Sequence, residues 1–140
     1  MPVEDLLLAE SHKAAGRLAE AEAVLRRVLA AAPDCHPAYH ALGLIAFEVG
    51  KLPLAVELIV KAISFNADAG LYHRNLGELC RRLGRLDEAV IAGRRACELS
   101  PNDVDAHYNL GLALADRGEY AAAVPAYRRA LDPPTGARWS

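Results

Sequence analysis

Apolar residues recur along this chain at helical spacing. Between residues 36 and 48, Tyr39, Leu42, Ile45 and Ala46 fall on one face; between 52 and 65, Leu52, Ala55, Val56, Ile59, Ala62 and Ile63 fall on another. Both sets follow the i, i+3, i+4 rule of a helix buried along one stripe. The pattern then repeats. Leu-Gly stands at 42–43, 76–77 and 110–111, with Leu8-Ala9 one step earlier, and every step is 34 residues. Gly16, Gly50, Gly84 and Gly118 form a second series at the same period. Ala21, Ala55, Ala89 and Ala123 form a third, and Ala62, Ala96 and Ala130 a fourth, with Val28 in the first copy. Pro33 and Pro101 lie two periods apart. A fixed period of this length marks a repeat architecture.

Each period holds two helical patterns joined by a short turn. The spacing predicts helices near 2–14, 18–31, 36–48, 52–65, 70–82, 86–99, 104–116 and 120–131. The glycines at 16, 50, 84 and 118 fall between paired helices, where a left-handed residue ends the first of them. Pro37 and Pro53 fall near helix starts, where a missing N–H costs little. The residue before Pro101 is biased away from helix, so a helix ends there. Pro125 falls a turn inside the last helix and is expected to loosen its start. The alanine columns have a packing reason, since a larger side chain would push crossing helices apart. Gly43, Gly77 and Gly111 are expected at the closest approach within each hairpin.

Composition narrows the function. Apolar residues make up 53% of the chain and charged residues 24%, which excludes a disordered polyampholyte. There are 28 Ala and 21 Leu against 9 Val and 4 Ile, a balance that favours helix over strand. A net charge of −2 argues against nucleic acid as a partner, because phosphate neutralisation needs a basic stripe. Cys35, Cys80 and Cys97 are odd in number and lack C-x-x-C spacing, so neither a disulfide framework nor a zinc site is indicated. The N-terminal MPVEDLLLAE lacks a basic segment and a long apolar run, and no stretch is long enough to span a bilayer. The expectation is a cytoplasmic protein with no membrane contact and no cofactor. No G-x-S-x-G, G-x-x-x-x-G-K-[ST], G-x-G-x-x-G or H-E-x-x-H motif occurs, and no catalytic residue is expected.

A 34-residue helix–turn–helix unit with an early Leu-Gly, a mid-repeat Ala and a late Pro resembles the tetratricopeptide repeat. The resemblance covers residues 2–135, in repeats at 2–35, 36–69, 70–103 and 104–137. Tyr39, His73 and His107 hold the family's early aromatic position and Tyr127 its late one, from which Leu25, Ile59 and Gly93 depart. Gly93 is expected to leave a thin spot, and Ala67 replaces the terminal Pro of the second repeat. The resemblance implies an all-α fold: one domain over 1–140, its four hairpins stacked as a right-handed superhelix, an α-solenoid. It also implies a concave groove, lined by the first helix of each repeat, that takes an extended peptide or partner segment.

By the family's geometry the groove positions include Val3, Leu6, Leu7, Glu10 and Lys13 in the first repeat. His40, Leu44 and Phe47 come from the second; Arg74, Asn75, Glu78 and Arg81 from the third; Tyr108, Asn109 and Leu112 from the fourth. An apolar floor in the second repeat beside a basic wall in the third suits a peptide with one apolar and one acidic anchor. Asn75 and Asn109 lie one period apart and resemble two rungs of the asparagine ladder of O-linked N-acetylglucosamine transferases. Each amide could bond a peptide backbone, or simply hydrate a helix face. The chaperone-type carboxylate clamp is not matched, because Leu6, Glu10 and Ala41 stand at three of its places. The array is also similar to those of bacterial glycosyltransferases of that kind. An alternative role is therefore the substrate-presenting N-terminal segment of a larger enzyme, or a self-assembly module.

Other candidates read as structural. Cys35, His36 and His40 carry ligand types, but no further ligand joins them from a neighbouring period, so they read as loop and groove residues with no metal. His73 and His107 read as boundary packing, and Cys80 and Cys97 as small hydrophobes. The Arg pairs 26–27, 94–95 and 128–129 read as a solvated outer face balanced by Glu22, Glu57 and Glu98. After Leu131 the sequence DPPTGARWS is too short for a further helix. Val124, Tyr127 and Leu131 are then expected to form a bare patch. Three readings stay open: another copy covers it as a homodimer, Trp139 folds back over it, or the chain is part of a longer one.

Overall fold

The computed structural model describes residues 2–132. Among them are eight α-helices. They are α1 (Val3–Ala14), α2 (Leu18–Ala31), α3 (His36–Glu48), α4 (Leu52–Phe65), α5 (Gly70–Arg82), α6 (Leu86–Leu99), α7 (Val104–Asp116) and α8 (Tyr120–Leu131). The predicted bounds hold except at the start, where Pro2 precedes the first helical residue.

Each pair closes in the same way. Gly16, Gly50, Gly84 and Gly118 have φ of 78°, 80°, 76° and 82°. Only glycine enters this region without steric cost, and doing so lets two later N–H groups turn back onto the helix end. In the first pair Gly16 N–H bonds Lys13 O at 3.0 Å and Arg17 N–H bonds His12 O at 2.8 Å. The same two-bond closure recurs at Gly50-Lys51, Gly84-Arg85 and Gly118-Glu119. Pro37 and Pro53 are the second residues of α3 and α4, where their missing N–H is not needed. Pro125 lies inside α8, yet the helix start stays closed, with Ala123 N–H bonded to Glu119 O at 3.0 Å.

The chain divides into two compact units, one ending at Ala67 and one beginning at Asp68. The first holds α1–α4. Its core joins Leu25, Val28, Cys35, Ala38, Leu42 and Ile45. The second holds α5–α8 and packs Cys80, Ala89, Val90, Ala113, Leu114 and Ala123 together. The alanine columns are the seams: Ala21 and Ala55 are 0% exposed, and Ala89 and Ala123 are 1% and 2% exposed.

The glycines of the Leu-Gly column sit where paired helices touch, as expected. A methyl group on Gly43 would stand 2.8 Å from Ile59 Cδ1, and one on Gly111 would stand 2.8 Å from the Tyr127 ring. At Gly77 the obstacle is the backbone itself, Gly93 N at 3.3 Å. This corrects the expectation of a thin spot at Gly93. With no side chain there, α5 and α6 approach backbone to backbone. Leu110 fills the other side, its Cδ1 3.2 Å from where a Gly93 methyl would be. The early aromatic column does more than pack. Tyr39 Oη donates to Pro33 O at 2.9 Å, and His107 Nε2 donates to Pro101 O at 2.7 Å, each tying a first helix to the turn before it.

Candidate functional site

In each unit the first helices of its two repeats lie side by side, α1 with α3 and α5 with α7. The helix period turns one stripe toward the partner hairpins and leaves the opposite stripe for solvent. None of the ten residues expected to line a groove is buried. His40, Leu44, Phe47, Arg74, Asn75, Glu78, Arg81, Asn109 and Leu112 are half-buried and Tyr108 is exposed. No member is lost to either core.

The first unit's stripe mixes apolar residues with Glu10, Lys13 and His40. Val3 and Leu7 on α1 are 57% and 65% exposed. Leu6 beside them, and Ala41, Leu44 and Phe47 on α3, are half-buried.

The second unit's stripe is polar and already paired. Arg74 Nη1 donates to Asp103 Oδ2 at 2.9 Å, and Asp105 approaches the same guanidinium at 3.8 Å. Arg81 faces Asp116 at 3.5 Å, and Arg82 bonds Glu78 one turn away on α5 at 3.2 Å. Asp103 has a second duty, because its Oδ1 caps α7 by accepting the Ala106 N–H at 3.2 Å. The basic wall read from α5 is therefore faced by carboxylates of α7, and three guanidiniums meet four carboxylates. This pairing was not evident from the sequence. The one available signal was the Asp-x-Asp at 103–105, two residues past Pro101, where a helix start calls for a capping acid.

Tyr127 reaches from α8 across Gly111 to Tyr108, with ring centroids 5.7 Å apart and planes tilted by 56°. Burial, with Tyr108 and Asp116 nearby, pushes its hydroxyl above the usual tyrosine value. Tyr127 is thus half-buried within its own hairpin, whereas Val124 and Leu131 are 44% and 68% exposed. The three residues expected to form one bare patch are unequal members of it. Trp139, the proposed cover, lies outside the described residues.

The cysteines take structural places. Cys35 lies in the turn between α2 and α3, as expected of a loop residue, but its side chain is 2% exposed and belongs to the first unit's core with Val28 and Ala38. Burial pushes the Cys97 thiol up to about 11 and raises that of Cys80, which keeps both in the unreactive thiol form. Of the arginine pairs, Arg26 bonds Glu22 at 2.7 Å and Arg95 bonds Glu98 at 3.2 Å on the outer surface, while Arg129 reaches Pro101 O. Among the described residues no helix is long and apolar enough to cross a membrane.

Comparison with known proteins accords with this geometry. Three models of the tetratricopeptide repeat match residues 5–43, 77–116 and 104–132. A curated relative is the small glutamine-rich tetratricopeptide repeat-containing protein 2 of Mycosarcoma maydis, 31% identical over 78 residues. The match covers 56% of this chain and 22% of that protein, so the chain spans about a fifth of the relative's length. Among solved structures, MamA of AMB-1 superposes with a TM-score of 0.81 at 30% identity, covering 96% of this chain and 73% of that one. The O-GlcNAc transferase of Thermobaculum terrenum superposes with a TM-score of 0.79 at 29% identity, over 94% of this chain but 26% of that one. The recurring period, the eight paired helices and these matches lead to one conclusion: the chain belongs to the tetratricopeptide repeat family.

Proposed function

We propose that the chain is a protein-interaction module that takes an extended peptide or partner segment on the first-helix stripes of its repeats. One observation carries this reading. Ten side chains at the same repeat positions all escape burial, while the alternate columns of the same helices lie in the cores. Leu44 and Phe47, with His40 beside them, offer apolar contact in the first unit. Asn75, Asn109 and Tyr108 offer amide and hydroxyl groups to a peptide backbone in the second. Arg74, Glu78 and Arg81 shape that stripe as an ion-paired surface, so an acidic anchor would first have to displace Asp103 or Asp116. The module carries out no reaction of its own.

The test is panning of a random peptide library against the 140-residue chain, with the selected peptides titrated by fluorescence anisotropy. Phe47→Ala and the Asn75→Ala, Asn109→Ala double variant should each weaken binding by about tenfold or more with helix content unchanged. Peptides that bind both variants as well as the wild type would sink the reading.

The likeness to the O-GlcNAc transferase, which spans nearly all of this chain, favours a second reading. In that reading this chain's repeats would present a protein substrate to a catalytic domain on the same polypeptide. A longer reading frame with such a domain downstream would decide for it.

A further inference from the structure

The second helix of a repeat offers an apolar column to the repeat that follows. In α6 that column includes Leu86, Val90 and Cys97. Val90 is 4% exposed and packs in one cluster with Ala113 and Leu114 of α7. One period later the same positions are Tyr120, Val124 and Leu131 on α8, and they are 69%, 44% and 68% exposed. The mould is the same but its cover is missing among the described residues.

The first helix of another copy is a poor cover. The face of α7 that meets α6 carries Ala106 and Ala113, each 1% exposed, with Leu110 seated on Gly93. On α1 the matching positions are Glu4, Leu8 and Ser11, with Glu4 and Ser11 exposed. Stacking α1 on α8 would bury a carboxylate and a hydroxyl at positions where α7 carries only methyl groups, at a desolvation cost. Head-to-tail growth is thereby disfavoured.

The face of α8 is instead complementary to itself. Tyr120, Val124, Tyr127 and Leu131 are spaced 4, 3 and 4 residues apart, a sequence of steps that reads the same in both directions. Such a stripe is a short a/d seam, and two of them meet in register when the helices run antiparallel. We propose that α8 of the 140-residue chain pairs with α8 of a second copy about a two-fold axis near the helix midpoint. Tyr120 then meets the partner's Leu131, and Val124 meets the partner's Tyr127, while Arg128 stays at the rim. The contact is isologous and closes at two copies. It uses none of the first-helix residues, so it stands or falls apart from peptide binding.

Sedimentation equilibrium of the full chain at high micromolar concentration tests the proposal. The wild type should weigh twice its 15.0 kDa. Val124→Glu places a charge on an exposed position, so it should keep the circular dichroism of the wild type and sediment as a monomer. Tyr127→Glu is a poorer choice, because Tyr127 also packs on Gly111. Chains carrying Tyr120→Cys and Leu131→Cys should form a disulfide when mixed and not when kept apart. A monomeric wild type, a mass that grows without limit, a dimer indifferent to Val124→Glu, or cross-linking by Tyr120→Cys alone would each overturn the two-fold antiparallel pair.

Discussion

The two units are built on the same columns and spend the remaining positions differently. Both close their hairpins on positive-φ glycines and seat their helices on buried alanines. In the first unit, one column of the second helices holds Leu25 and Ile59, 1% and 0% exposed, while in the second it holds Gly93 and Tyr127. The first-helix stripes differ as much. The first unit shows Val3, Leu7, Leu44 and Phe47; the second shows arginines locked to Asp103, Asp105 and Asp116. The geometry of the repeat is thus secured by the few positions where backbones touch or reverse. Positions outside that set are free to diverge, so one stripe exposes more apolar surface and the other more ion pairs.

The contrast can be broken in order of effect. The largest belongs to the first unit's core. Leu25→Ala should cost ~2–5 kcal/mol in denaturant unfolding, since the site is full and closed on all sides. A loss under a quarter of that would mean the column is not what fills this unit.

Next comes the cap that only the second unit has. The matching residue before α3 is Cys35, which makes no side-chain cap, whereas Asp103 caps α7 and holds Arg74. Asp103→Ala should cost about 1–2 kcal/mol. Asp103→Asn should recover most of it, because Asn caps as well as Asp and the lost ion pair is partly exposed and screened. Equal losses in the two variants would assign the effect to the ion pair instead.

A smaller effect follows from salt. Raising NaCl from about 0.05 to about 0.5 M shortens the screening length severalfold. Amide hydrogen exchange should then quicken in α5 and α7, which share Arg74–Asp103 and Arg81–Asp116, and stay unchanged in α1 and α3. Uniform acceleration would show that these pairs do not distinguish the units. The smallest effect is at Gly93, in the same column as Leu25. Gly93→Ala gains helix propensity of about 1 kcal/mol and loses a similar amount against Leu110, so stability should move by less than about 1 kcal/mol. A cost as large as that of Leu25→Ala would make the two positions equivalent and dissolve the contrast.

Much of this molecule could be read from its sequence, and particular residues show why. Gly16, Gly50, Gly84 and Gly118 each answer a local demand, a backbone conformation that side chains resist, and a local demand leaves its mark at a fixed position. Ala21, Ala55, Ala89 and Ala123 answer a demand for closeness that recurs with every stacked helix. The period, the eight helices and the turns follow from these columns and the apolar spacing between them. The tertiary structure decided the rest. It set Arg74 on Asp103 and Arg81 on Asp116, turned Cys35 into the core, brought Leu110 over Gly93 and laid Tyr127 across Gly111. These outcomes depend on how far a side chain reaches between helices and which void it finds there. Periodicity assigns a residue to a face, but the neighbour across the gap decides whether that face is charged, filled or bare.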